Sequence, residues 1–167
     1  INFSSFNIAQ NETVNFIQPA NNAACLSRVT GPDASVIAGT LSANGILFLI
    51  NQNGVTFTPT ANVNVNTLVV STLDIASSNF INGNYELIRN QDSKYAKVLN
   101  QGTINANNIA LIGSAVENRG IIVARAGTVH LVSGDRTVVT FDMQGFLGVA
   151  VTEETSGKVI DSEGNTV

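Results

Sequence analysis

The chain has 167 residues and a formal charge of −4, enough for one domain to bury a continuous core without metals or disulfides to hold it. Its eight basic residues are scattered singly and leave no electropositive stripe for a phosphate backbone, which excludes nucleic acid as a partner. No apolar run approaches the roughly 20 residues needed for a transmembrane segment, and one cysteine, Cys25, excludes an internal disulfide and supplies no metal cluster; its expected state is a small buried hydrophobe.

Hydrophobic residues make up 44% of the chain but charged residues only 12%, so amides and hydroxyls must build the polar surface. Asparagine offers the backbone competing hydrogen bonds and glycine carries a large entropic cost, so this composition disfavours helices and favours strands joined by tight turns. No basic segment followed by an apolar one opens the chain, so any signal peptide is expected to lie upstream or to have been removed.

Short apolar segments with strand chemistry follow in order: Val14 to Ile17, Ile46 to Ile50, Val63 to Val65 and Leu68 to Val70. Residues 79–97 depart from this pattern. Asn82-Gly83 lies between Phe80-Ile81 and Tyr85-Glu86-Leu87, which predicts a hairpin protruding from the main body. Gln91 to Val98 reads equally as a helical turn, a strand or a loop. Strands then resume at Ile109 to Ile112, Ile121 to Val123, Val129 to Val132, Val138 to Phe141 and Phe146 to Val151. The tail, 152–167, is polar; its last residues, Asp161 to Val167, are expected to be poorly ordered or to begin a further coil.

Such short strands suit a sandwich, a barrel or a solenoid, and internal repetition decides among them. Asn100-Gln101-Gly102-Thr103-Ile104-Asn105-Ala106 is echoed 18 residues later by Asn118-Arg119-Gly120-Ile121-Ile122-Val123-Ala124. Ile109-Ala110-Leu111 matches Val129-His130-Leu131, and Gly39-Thr40-Leu41-Ser42-Ala43 carries the same Gly-x-apolar-x-Ala skeleton, with Gly54-Val55-Thr56-Phe57 as a shortened form. A period near 18–20 residues fits one coil of a solenoid with three short strands and three corners. The expectation is an all-β, right-handed parallel β-helix occupying 1–167 as a single domain. Aliphatic side chains would stack inside, and corner asparagines, held in left-handed conformations, would form amide ladders.

Catalytic chemistry finds no footing in the sequence. His130 alternates with Val129 and Leu131 and is expected on the outer, exposed face. Asp135-Arg136 would sit at a turn, where a local ion pair is worth little. Glu153 and Glu154 would point to opposite sides of a strand. β-Helices include polysaccharide lyases, but the clustered acids such sites need are absent, so the expectation is no enzyme, no cofactor and no metal. Asn51-Gln52-Asn53-Gly54 reads both as a tight corner and as a recognition motif. Gln18-Pro19 reads as a strand terminator.

The run Phe6 to Pro19, Arg28-Val29-Thr30-Gly31, Gly39 to Gly45, Phe48 to Val55, Ser71 to Ile75 and Gly145 to Val151 resembles the two-partner secretion domain of filamentous haemagglutinin-like exoproteins. The likeness spans nearly the whole chain in the family's order. It implies a right-handed parallel β-helix that addresses a large adhesin or exoprotein for export. The partner implied is an outer-membrane β-barrel transporter with periplasmic domains, and the destination is the exterior or cell surface of a Gram-negative-type bacterium, reached through the periplasm. It also implies transporter recognition through Asn51, Gln52, Asn53, Gly54 and Val55, where Gln52 replaces the proline of the family's Asn-Pro-Asn-Gly turn. Family members usually carry further strands that cap the first coil, so a cap is expected to be missing before Ile1. A different class of reading, favoured by low surface charge and open coil ends, is a structural subunit that associates end to end into filaments; a carbohydrate-active enzyme ranks last.

Overall fold

A computed structural model describes residues 1–160 and 164–166. The chain makes successive parallel passes around a common interior. After β1 (Asn2–Phe3), a first pass lays down β2 (Thr13–Phe16), β3 (Ala24–Val29) and β4 (Ser35–Ile37). A second comprises the long, bent β5 (Thr40–Asn51) and β6 (Val55–Phe57). The third runs along β7 (Asn62–Ser71), leaves the stack for α1 (Ser77–Ile81) and β8 (Tyr85–Ile88), and returns as β9 (Lys97–Asn100). A fourth adds β10 (Thr103–Ala106), β11 (Asn108–Gly113) and β12 (Ala115–Asn118). A fifth adds β13 (Ile121–Ala124) and β14 (Val129–Ser133) before the chain departs into β15 (Arg136–Phe141) and β16 (Leu147–Glu153).

The pairing is parallel wherever one pass lies on another. Its register aligns apolar residues in columns: Val14, Leu41, Val63, Ile104 and Ile122 form one, and Leu49, Val70, Leu111 and Leu131 another. These columns fill the interior, and Cys25 packs against them as a half-buried hydrophobe. At the first coil Phe3 and Phe6 meet edge to face at 5.1 Å, and Phe6 lies 6.3 Å from Phe16. Asn2 to Ile8 thus cover that end, where a missing cap was expected.

A second apolar layer lies outside the stack. The outward column Leu26, Phe48, Val69 and Ala110 is roofed by the antiparallel sheet β16–β15–β8, which contributes Leu147, Val139 and Leu87. Burial on both faces is why Ile46 to Ile50 and Ile109 to Ile112 are unbroken apolar runs rather than alternating ones. His130 continues the outward column. It is therefore on the face opposite Val129 and Leu131, as expected, but half-buried there, its Nε2 2.9 Å from the Leu147 carbonyl; the roof covers the face that alternation alone would leave to water.

The hairpin expected within 79–97 is not formed. Asn82-Gly83 ends α1: the Gly83 amide donates to the Phe80 carbonyl, the Asn84 amide to that of Asn79, and Gly83 has φ +72°. Glycine in this conformation closes a helix as readily as a hairpin. Phe80 packs on Phe48 at 5.3 Å, and β8 pairs with the distant β15.

Three further expectations change. Among the described residues only glycines have positive φ, so the corner asparagines act through side chains: Asn100 Nδ2 donates to Asn118 Oδ1 at 2.8 Å, and Asn107 Nδ2 to Asn66 Oδ1 at 2.7 Å. The glycine of the repeat answers crowding, because a Cβ on Gly120 would lie 2.2 Å from the Gly102 carbonyl oxygen. Val55–Phe57 pairs with Ser35–Ile37 and Val98–Asn100 on a different face, so it is no shortened copy of the Gly39 skeleton. In the tail, Thr152 and Glu153 belong to β16, Val159 is buried, and Asp161 to Glu163 and Val167 lie outside the described residues.

Position along a column should set the cost of truncation. Leu111→Ala, in the sealed interior, is expected to lower unfolding free energy by about 2–5 kcal/mol. Leu131→Ala, in the same column but 47% exposed, is expected to cost less than half as much. Urea titration of both variants checks the difference.

Candidate recognition site at the Asn51–Gly54 corner

The four-residue corner between β5 and β6 is a tight turn: the Gly54 amide donates to the Asn51 carbonyl at 3.1 Å and Gly54 has φ +116°. Asn51 is fully buried. Its Nδ2 donates to the Asp33 carbonyl and to Ser35 Oγ, both at 3.0 Å, while its Oδ1 accepts from the Asn53 amide at 2.9 Å. Asn53 Nδ2 in turn donates to the Gly31 carbonyl at 2.9 Å. These bonds tie the corner to the coil below it. Val55 is buried in the interior, so within the folded chain Asn51, Gly54 and Val55 present little to a partner, and Gln52 and Asn53 remain partly exposed.

Gln52 is fastened from above. Its Oε1 accepts from Asn90 Nδ2 at 2.8 Å and from Ser93 Oγ. The segment carrying those residues is held by Arg89, whose Nε donates to Asp135 Oδ1 at 3.0 Å and whose guanidinium lies 4.2 Å from the Tyr95 ring centre. Asp135 also accepts from the Ser156 amide at 3.1 Å and from its hydroxyl. Burial pushes the Asp135 carboxyl up, but the hydrogen bonds from Ser156 and Arg89 outweigh it and hold the group below its ordinary range.

Asp135 and Arg136, adjacent in sequence, therefore serve different partners: Arg136 Nη1 meets Glu86 at 3.1 Å and its Nε lies 2.9 Å from Glu153. Arg28 likewise pins the start of the third-pass excursion, donating to Asp74 at 2.7 Å and to Ser77 at 3.2 Å. Gln18, read as a strand terminator, does follow the end of β2, and it is also a buried bracket. Its Nε2 donates to the Ala23 and Ile46 carbonyls at 2.6 and 3.0 Å, and its backbone pairs reciprocally with the Asn44 amide. No local sequence pattern announces these pairs, because each joins residues brought together by stacking. Among the described residues no three His, Cys, Asp or Glu side chains converge on a metal-sized site.

Nearly the whole chain, residues 1–166, matches the family model of the TPS secretion domain. This chain belongs to that family. The TPS domain described here superposes on the HMW1 secretion domain of Haemophilus influenzae with TM-score 0.83 and 32% identity, covering 93% of this chain and 42% of that one. It is 37% identical over 98% of its length to a heme/hemopexin-binding protein of H. influenzae strain Rd, and 38% identical over 61% of its length to a second H. influenzae protein of that name. The TPS domain spans 19% and 11% of those curated relatives. Membership implies secretion through the periplasm and across the outer membrane by a dedicated transporter. No helix among the described residues is long and apolar enough to cross a membrane.

Removing Asn51's side chain should leave buried donors and acceptors unpaired, so Asn51→Ala is expected to destabilise the domain by about 1–3 kcal/mol in denaturant titration. Gln52→Ala should be nearly neutral in stability but speed amide hydrogen exchange at 90–93. Since the folded Asp135 carboxyl titrates lower than the unfolded one, its contribution is present above the unfolded value and lost as pH falls through the folded one. Asp135→Asn should therefore flatten the stability profile below about pH 4, measured by thermal melts across pH.

Proposed function

We propose that this chain is the export-directing domain of a filamentous haemagglutinin-like exoprotein, recognised by an outer-membrane β-barrel transporter and folding outside as a right-handed parallel β-helix. The family match over residues 1–166 is the observation that carries export. Stacked parallel passes support that architecture, and the rule that such connections are right-handed in about 98% of cases supports its hand. Its work is binding, without catalysis, and Asp74, Glu86, Glu117, Asp135 and Glu153 serve ion pairs with Arg28, Arg89, Lys97, Arg119 and Arg136.

The fifth coil supports a second task, nucleating the fold of the chain that follows. Val129 and Leu131 sit directly on Ile109 and Leu111, which are fully buried, yet are themselves 41% and 47% exposed. A solenoid grows by covering such a face with the next coil. Transporter recognition falls on Asn51, Gln52, Asn53, Gly54 and Val55 before folding, when the side chains later sealed in the corner are still accessible. The open coil also favours the rival reading, in which one copy stacks on the next to make filaments.

Deletion of this domain from its parent protein, co-expressed with the cognate transporter, should abolish appearance of the parent in the medium; unchanged export would refute the proposal. Electron microscopy of the purified domain at increasing concentration separates the rival, since fibres support end-to-end association and dispersed particles support export and nucleation alone.

A further inference from the structure

An open groove of about 900 Å³ runs between the solenoid corner and the turn joining β15 to β16. One wall is the corner's column of amides, where Asn66 Nδ2 donates to the Asn21 carbonyl and Asn66 Oδ1 accepts from Asn107, both at 2.7 Å. Asn21, Asn22 and Asn107 are exposed, and Asn107 keeps its carbonyl oxygen and one N–H free for an outside partner. The facing wall is aromatic. Tyr85 and Phe141 are locked edge to face at 5.8 Å, and Phe146 is 45% exposed at the rim.

The walls are fixed relative to one another. Buried Asn108 joins them, its Nδ2 donating to the Gly145 carbonyl at 3.1 Å and its Oδ1 accepting from the Thr128 amide at 3.2 Å and the Leu147 amide at 3.5 Å. The groove therefore needs little ordering when it is occupied. Its lining carries one formal charge, Asp142, whose Oδ1 is already engaged by the Gln144 and Phe146 amides at 2.9 and 2.8 Å.

We propose that this groove binds a neutral oligosaccharide, a role beyond export that does not depend on it. Side-chain amides present a donor and an acceptor side by side and so match adjacent sugar hydroxyls, while exposed aromatic faces cover the apolar C–H face of a pyranose ring. A lining without cations gives no purchase to phosphate, sulfate or sialic acid. Addition of a peptide strand is disfavoured because the corner's backbone is already paired from coil to coil, the Asn107 amide donating to the Asn66 carbonyl at 2.8 Å.

The test is titration of the folded chain with cellotetraose, maltotetraose and chitotetraose, with 3′-sialyllactose as the anionic comparison, followed by calorimetry and saturation-transfer NMR. The expected result is saturable binding of at least one neutral tetrasaccharide, weakened about tenfold by Phe146→Ser and by Asn107→Ala, as loss of one stacking or amide contact predicts. Both side chains are solvent-accessible, and circular dichroism verifies that each variant stays folded. Absence of saturable binding by all three neutral sugars would overturn the proposal. So would binding indifferent to both substitutions, or a preference for sialyllactose.

Discussion

The structure depends on one constraint: each apolar side chain facing inward must lie on its counterpart in the coil below while the backbone pairs along the same axis. Parallel strands lie about 4.8 Å apart, so a column such as Leu41, Val63, Ile104 and Ile122 is a continuous hydrocarbon stack whose members shield one another. The same spacing suits amides, so Asn100 bonds Asn118 and Asn107 bonds Asn66 without the like-charge repulsion that stacked ions would suffer. A chain with few charges and many asparagines is the compositional outcome.

The solenoid alone would leave the outward faces of Phe48, Val69 and Ala110 in water. The roof of β8, β15 and β16 covers them, and the partly buried pairs Arg28–Asp74 and Arg89–Asp135 fasten its connecting segments. Pairs of this kind are costly to break from one side, because the partner is left buried and uncompensated. They hold geometry more than they add stability. Through Arg89, the segment resting on Gln52 is fixed to the tail at Ser156.

Contacts in both layers span a range of sequence separations. In the stack Ile104 meets Ile122 after 18 residues but Val63 only across 41; in the roof Phe141 meets Leu147 after 6 whereas Leu87 meets Thr137 after 50. Longer closures cost more chain entropy, so neighbouring coils and the β15–β16 hairpin close more cheaply than the joins that span the third-pass excursion. Coil-by-coil growth needs only the preceding coil in place.

The all-β class and the stacking of the Asn100 and Asn118 repeats were legible because a parallel solenoid writes its period directly into the sequence: Gly, Ile and Ala recur where the same corner and the same interior wall recur. The third coil was harder to see, since Ala61 stands where the second, fourth and fifth coils have Gly39, Gly102 and Gly120. The Asn51 corner was visible as a turn, but not the burial of Asn51 or the grip of Asn90 and Ser93 on Gln52, which require residues some 40 positions away. Nor did alternation alone reveal that His130 lies under a roof. The sequence by itself determined the strands, their period and their inward face, because these follow from local chemistry repeated at fixed spacing. Only the tertiary structure decided what covers the outer face, why Asn82-Gly83 ends a helix, and which arginine meets which acid, because those outcomes depend on segments that come together after the coils have stacked.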